Sequence, residues 1–246
     1  MYDSNDDGFV RNDYLHFCYA KSTRTLEAVA LLIKNGFRED PFVLLRAIYE
    51  NYLHFWYVLR NPDSLDSFVM AKIGRSTREL NHPKNGPERH LKVIDKTTGE
   101  KFDYGRSMSE LARNGSPRIS SVLHELLYEY LCEFSHNHFM AFGGYLKPTN
   151  KAKITARRYG KDLEVVTYAL LLSTMWLESF SLIEETETSD PERIRHQIKT
   201  GRKLLLEVEK TLKSEGKYKT LQSEIRCVTE KLGEKASLKP FVITGR

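Results

Sequence analysis

Hydrophobic residues recur every three or four positions along most of this chain, which is the period of an α-helix rather than the alternation of a β-strand. Clusters of Gly, Pro, Asn, Asp and Ser separate the stretches that keep this period. The pattern predicts helices over residues 12–35, 40–61, 63–80, 107–114, 116–134, 162–185 and 217–232, and one more from residue 190 onward. The predicted fold class is therefore all-α, a multi-helix bundle.

The stretch 40–61, DPFVLLRAIYENYLHFWYVLRN, is apolar around almost its whole circumference. Asp40 is a favourable N-cap, Pro41 occupies the first turn, where proline costs nothing, and Asn61 followed by proline ends the helix. The stretch 162–185 is also apolar on nearly every side. Helices of this kind belong in the interior of a protein, so we expect these two to be the most buried.

Residues 81–106 form a long predicted connector, because they are rich in Pro, Gly, Asn and Lys. We expect at most one short helix in it, around residues 88–95. The chain shows no strand-period segment, glycine-rich nucleotide motif or internal repeat, so nucleotide binding by the usual fold motifs is unsupported. By pattern, residues 1–186 form a helical core, and residues 187–246 form basic C-terminal helices that pack on it.

The net charge of +5 is unevenly distributed. Residues 147–246 hold 20 Lys and Arg against 14 Asp and Glu, and the helix after residue 190 carries much of this excess. The apolar positions predicted to face inward on that helix are Ile194, Ile198, Leu204, Leu205 and Val208. The basic positions predicted to face outward are Arg193, Arg195, Lys199, Arg202 and Lys203. Such a face is ordinarily a solvated surface, and the alternative is a surface for RNA or a protein partner.

Targeting signals and disulfides are not indicated by the sequence. The N-terminus is acidic and lacks the basic-then-apolar order of a secretion signal, and no apolar run approaches the roughly twenty residues that cross a bilayer. We therefore expect a cytoplasmic protein without a membrane span. The cysteines, Cys18, Cys132 and Cys227, are far apart and lack CxxC spacing, which favours small core residues over a disulfide or a zinc site.

The candidate chemistry begins with Arg46 and Glu50, which are four residues apart and so share one face of the central helix. One interpretation is a structural ion pair that fixes how this helix packs. The other is an anion-binding arginine that a carboxylate holds in position.

A second polar group, Ser135-His136-Asn137-His138, follows an apolar helical stripe. It is either a helix end with satisfied polar groups or a site of proton transfer by His138, which would lie on the same face as Ser135 in a continuing helix. We expect Arg46, Glu50, Ser135 and His138 to meet in one partly enclosed pocket, because buried charges require polar partners.

These motifs resemble a large bacterial family known only as domain of unknown function 5677. The resemblance is carried by LLRAIYENY at residues 44–52, by the Asn-Pro that ends this helix, and by Tyr130 followed by Ser-x-x-His. It covers roughly residues 10–185. It implies an all-helical fold in which an Arg-x3-Glu helix pairs with a later Ser-x-x-His helix. The polar positions of the family fall on Arg46, Glu50, Ser135 and His138.

A weaker resemblance links the chain to the HEPN superfamily of ribonucleases. Arg11 to His16 matches the Arg-polar-x3-His pattern of that superfamily, although exposed residues at a helix start are the simpler interpretation. The helical architecture is also similar. This resemblance implies metal-independent RNA cleavage, often by dimers and often in toxin or phage-defence settings.

Three functional hypotheses follow from these residues. The first is a partner-binding or sensing module, for RNA or protein, in a bacterial setting such as phage defence. The second is a metal-independent RNA-cleaving effector, compatible with a homodimer, in which Arg46 holds a phosphate, Glu50 orients Arg46 and His138 exchanges a proton. The third is a metal site built from Glu50, His54, His136 and His138, since Glu-x3-His places two ligands on one helical face. The first two require no cofactor or metal.

Overall fold

The structure of the chain is a computed structural model. This structure describes residues 7–37, 39–61, 80–82, 92–103, 107–116, 118–135, 163–181, 191–214 and 219–232.

Within these residues lie seven α-helices, and a few residues are in β-strands. The helices are α1 (Asp7–Lys34), α2 (Asp40–Arg60), α3 (Met108–Asn114), α4 (Ser121–Ser135), α5 (Leu163–Ser181), α6 (Pro191–Ser214) and α7 (Lys219–Lys231). The strands are β1 (Leu80–Asn81), β2 (Lys92–Asp95) and β3 (Lys101–Asp103). The all-α fold class is confirmed.

The strands pair antiparallel in the order β1-β2-β3, so the predicted helix around residues 88–95 is wrong for residues 92–95. The cause is local turn chemistry. Asp95 Oδ1 accepts hydrogen bonds from the backbone N–H groups of Thr97 and Thr98 at 2.7 and 2.8 Å, and Gly99 adopts a φ of 73°. An Asx-type turn followed by a left-handed glycine reverses the chain and joins two strands, which a helix period cannot indicate.

Helix ends that depend on local signals were predicted well. Gly36 has a φ of 76° and ends α1, with Phe37 N bonded to Leu32 O at 2.9 Å, as in a Schellman motif. Ser107 caps α3 and accepts a hydrogen bond from Glu110 N at 3.2 Å. Helix α2 has its expected start and ends within one residue of its expected end.

Helix α4 starts five residues later than the predicted helix over 116–134, in which Ser116 would be the cap. Helix α4 begins at Ser121, and Ser120 is its cap, since Ser120 Oγ accepts a hydrogen bond from Leu123 N at 2.9 Å. Both serines are suitable caps by residue type, so local sequence could not choose between them. The helix predicted over 63–80 falls mostly on residues outside the described ranges, and Leu80 belongs to β1.

Helices α2 and α5 contain more fully buried residues than any other described helix, as the sequence predicts. In α2 the buried hydrophobic residues are Phe42, Leu45, Ile48, Tyr49, Tyr52, Leu53, Phe55, Trp56 and Val58. In α5 they are Val165, Tyr168, Leu171, Leu172, Met175 and Trp176.

The chain divides into two compact units, residues 1–16 with 53–116 and residues 17–52 with 117–246. The predicted boundary after residue 186 stays a prediction. In the first unit, Arg60 Nη1 donates a hydrogen bond to the backbone carbonyl of Gly115 at 2.7 Å, which ties the end of α2 to the end of α3.

In the second unit, α6 packs against both α5 and α7. Gly201 allows this close approach, since a Cβ at that position would collide with the Thr174 side chain. Leu205 is fully buried and Ile198 is half-buried, as expected for the inward face. Leu204, which was predicted to face inward, is 42% exposed. The buried stripe of α6 is therefore narrower than its apolar composition suggests.

Among the described residues, α5 is the one helix that is long and apolar enough to cross a membrane by length and composition, with a mean hydropathy of 1.2. Of this span, 56% is buried inside the protein. The core helix of a soluble protein satisfies the same criteria, so this feature does not by itself indicate a membrane protein.

Candidate functional site

Arg46 and Glu50 form the ion pair that their spacing on α2 predicts. Arg46 Nε donates a hydrogen bond to Glu50 Oε1 at 2.9 Å, and the two side chains are 22% and 31% exposed. Burial lowers the pKa of Arg46, but the hydrogen bond and the charge of Glu50 raise it, and the net direction is upward. Arg46 is thus a permanent cation that is oriented by Glu50 and still reaches solvent.

Tyr128 on α4 is the next member of this site. The Arg46 guanidinium lies 5.5 Å from the centroid of the Tyr128 ring, a distance at which the negative face of the ring attracts a cation. Burial raises the pKa of Tyr128, and the nearby charge of Arg46 partly offsets this effect. Burial raises the pKa of Cys132, although Arg46 partly offsets this effect, so the group is a neutral thiol near pH 7.

His124 and Tyr49 continue the network into the interior. Tyr49 Oη and His124 Nδ1 are 2.9 Å apart, and the His124 ring stacks on Tyr128 with centroids 5.4 Å apart and planes 12° apart. Burial lowers the pKa of His124 and raises the pKa of Tyr49, so both groups are neutral near pH 7. The tautomer of the neutral His124 imidazole sets which of the two groups donates this hydrogen bond.

Ser135 belongs to the same face of α4 as these residues, since Tyr128, Cys132 and Ser135 are four and then three positions apart. Ser135 is half-buried, and its Oγ donates a hydrogen bond to Leu131 O at 3.1 Å. The structure thus brings Arg46 and Glu50 together and places Ser135 along the helical face that Arg46 contacts. His138 lies outside the described residues, so the four-residue pocket stays a prediction.

Tyr49, His124 and Tyr128 were not predicted as site residues from the sequence. The four-residue spacing of His124, Tyr128 and Cys132 was the signal that could have revealed a polar stripe on α4. A buried ion pair, in which Arg118 binds Glu178 of α5, was not predicted either. Glu178 stood out only as a carboxylate within a strongly apolar helix.

The other candidate residues are placed differently. His16 is exposed near the start of α1, and nothing is described of the Arg11 side chain. No group of three or more His, Cys, Asp or Glu within the described ranges is arranged to hold a metal ion. His54 is half-buried, and His136, like His138, lies outside those ranges.

The fold and the site together define an all-helical protein with a half-buried arginine network between two of its helices. The model of a family of unknown function, DUF5677, matches residues 12–153, which is more than half of the chain. The chain belongs to this family. No curated protein and no solved structure is similar enough to match the chain.

Lowering the pH should destabilise the protein through His124. Because burial lowers its folded-state pKa, the unfolded chain binds more protons between the folded and unfolded pKa values, and stability there rises with pH. This contribution of His124 to stability is fully present above ~6.5, which is the pKa of histidine in the unfolded chain. It is lost as the pH falls below that value. We expect urea unfolding about one pH unit below ~6.5 to need less denaturant than one unit above it, and His124→Gln to reduce the difference.

The control is His196→Gln, the same replacement at an exposed position on α6. If His124→Gln and His196→Gln both keep the full pH dependence of the wild type, another group causes it.

Proposed function

We propose that the chain is a partner-binding module that recognises an anionic group, the phosphate of RNA in the first instance, through Arg46. The observation that carries this proposal is the orientation of Arg46 by Glu50 and Tyr128 while about a fifth of its side chain stays exposed. An arginine that is already oriented loses less conformational entropy when it binds a phosphate than a mobile one does.

The charge of α6 supports RNA as the anionic partner. Its exposed cationic side chains are Arg193, Arg195, Lys199, Lys203, Lys210 and Lys213. Such side chains release counterions when they contact phosphates, which supplies affinity without sequence preference. Within this proposal α6 contributes general attraction, whereas Arg46 contributes a fixed contact. The cytoplasmic, bacterial and phage-defence settings stay predictions.

Replacing Arg46 by glutamine should weaken RNA binding by roughly tenfold to a hundredfold, which corresponds to a lost hydrogen bond between charged groups. The measurement is fluorescence anisotropy of a labelled single-stranded RNA, titrated with the full chain at low and moderate salt. Arg46→Lys keeps the charge but loses the planar fork, so its affinity should fall between wild type and Arg46→Gln.

Arg24→Gln is the matched control, because Arg24 is an exposed arginine on α1 and its loss changes the net charge equally. Thermal melting of each variant separates unfolding from loss of binding. If Arg24→Gln and Arg46→Gln weaken binding equally, Arg46 acts only as one more surface charge. If wild type does not bind RNA at either salt concentration, RNA is not the partner.

The placement of Ser135 on the face of α4 that Arg46 contacts favours RNA cleavage as a second candidate. The same RNA, examined on a gel after incubation without and with a chelator, distinguishes binding from cleavage. Fragments that form in both conditions, and that His138→Ala reduces by about a hundredfold, would support metal-independent cleavage. RNA that stays intact would leave binding as the function.

A further inference from the structure

A small pocket of about 220 Å³ lies against α4, α5 and α7 in the second unit. Its lining residues are Leu126, Tyr130, Glu164, Tyr168, Thr220 and Leu221. Tyr168 and Leu221 are buried, Glu164 is half-buried and Thr220 is exposed, so the pocket reaches from solvent to the core. Sites for drug-sized molecules hold ~300–1,000 Å³, so this one suits a smaller group.

Two tyrosines give the pocket an aromatic wall. The rings of Tyr130 and Tyr168 have centroids 5.1 Å apart and planes inclined by 29°. The two rings stack, and the face of an aromatic ring is electrostatically negative, so a face that the neighbouring ring does not cover attracts a cation in the pocket. Phe42 packs edge-on against both rings, with centroid distances of 5.4 Å to Tyr130 and 6.0 Å to Tyr168, and holds this wall in place.

A carboxylate completes the arrangement. Glu164 Oε2 accepts a hydrogen bond from the Tyr130 hydroxyl at 2.8 Å, which fixes the carboxylate beside the aromatic wall. Burial raises the pKa of Tyr168, and the charges of Glu164 and Glu133 raise it further. Glu164 is half-buried, and the lower dielectric of a partly buried site strengthens the attraction of its carboxylate for a cation.

We propose that this pocket binds a small organic cation, an alkylammonium group such as a quaternary ammonium head. Aromatic rings with a nearby carboxylate suit this chemistry, because the methyl groups contact the rings and the diffuse charge needs no hydrogen-bond donor site. A compact cation such as Na⁺ or an unsubstituted ammonium keeps a tightly bound water shell and gains less from the rings. This ligand is opposite in charge to the one proposed for Arg46, so the two proposals are independent.

The test compares choline with 3,3-dimethylbutan-1-ol, a neutral molecule of the same shape, by calorimetric titration of the full chain. Choline should bind roughly tenfold more tightly than the alcohol, which is the size of a cation–π and charge contribution at a partly desolvated site. Glu164→Gln should weaken choline binding by roughly tenfold and leave the alcohol unchanged.

The matched control is Glu230→Gln, which removes the same charge from an exposed position on α7, a helix that also lines the pocket. Thermal melting of both variants checks that the fold is kept. A peptide that carries trimethyllysine tests whether the cation belongs to a partner protein, and tighter binding of either the peptide or choline supports the proposal and names the source. Equal affinity for choline and the alcohol, absence of choline binding, or equal effects of Glu164→Gln and Glu230→Gln would overturn it.

Discussion

Replacing Arg118 by alanine is expected to lower the free energy of unfolding by about 3–5 kcal/mol. Arg118 Nη2 donates to Glu178 Oε1 at 2.7 Å and Nε donates to Oε2 at 3.1 Å, and the side chains are only 7% and 8% exposed. Burial raises the pKa of Glu178, and the hydrogen bond and charge of Arg118 lower it. Without Arg118, the Glu178 carboxylate stays buried without its main partner, so it must bind a proton or become hydrated. The nearby charge of Arg202 offsets part of this cost.

Urea unfolding followed by far-UV circular dichroism measures this effect. The informative control is the double variant Arg118→Met with Glu178→Leu, which removes both charges while keeping similar volumes. Replacing a whole buried ion pair by apolar residues is often neutral or stabilising, so the double variant should be more stable than Arg118→Ala. A cost below about 1 kcal/mol for Arg118→Ala, the range of exposed pairs, would mean that solvent reaches Glu178.

Replacing Phe42 by alanine should also cost about 3–5 kcal/mol, because it removes a large buried ring and leaves a cavity. Phe42 is 1% exposed, stacks on Phe134 with centroids 4.3 Å apart, and packs edge-on against Tyr130 and Tyr168. Phe42 therefore holds the two tyrosines that line the pocket. We therefore expect Phe42→Ala to weaken choline binding as well as stability.

Two controls accompany this variant in the same unfolding measurement. Phe42→Leu keeps most of the volume and should cost less than about 1.5 kcal/mol. Val43→Ala changes the adjacent, 42% exposed residue and should fall within about 0.5 kcal/mol of wild type. If Phe42→Ala is no more destabilising than Val43→Ala, the aromatic cluster contributes little to stability.

The two candidate sites share helices but differ in the charge that they attract. At Arg46 a half-buried cation lies beside Tyr128 and Glu50, whereas at Tyr130 the Glu164 carboxylate lies beside an aromatic pocket. Helix α4 contributes to both, with Tyr128 on one side and Tyr130 on the other.

The sequence predicted the features that depend on neighbouring residues. Asp40 with Pro41 set the start of α2, and Gly36 set the end of α1, because caps and left-handed glycines act within one turn. Arg46 and Glu50 were paired from their spacing alone, since residues four apart on a helix are always neighbours. The two most buried helices were also predicted correctly, because a helix that is apolar on every side must be enclosed.

The sequence did not determine contacts between distant segments. Arg118 and Glu178 are 60 positions apart, and Tyr49 and His124 are 75 apart, so no local spacing relates them. Helix packing alone places the Tyr128 ring beside Arg46 and encloses the pocket at Tyr130. Which polar side chain becomes buried, and how far its pKa shifts, is set by the elements that pack against it. The sequence by itself therefore determined the main helices and the Arg46–Glu50 ion pair. The network around that pair was determined by the tertiary structure.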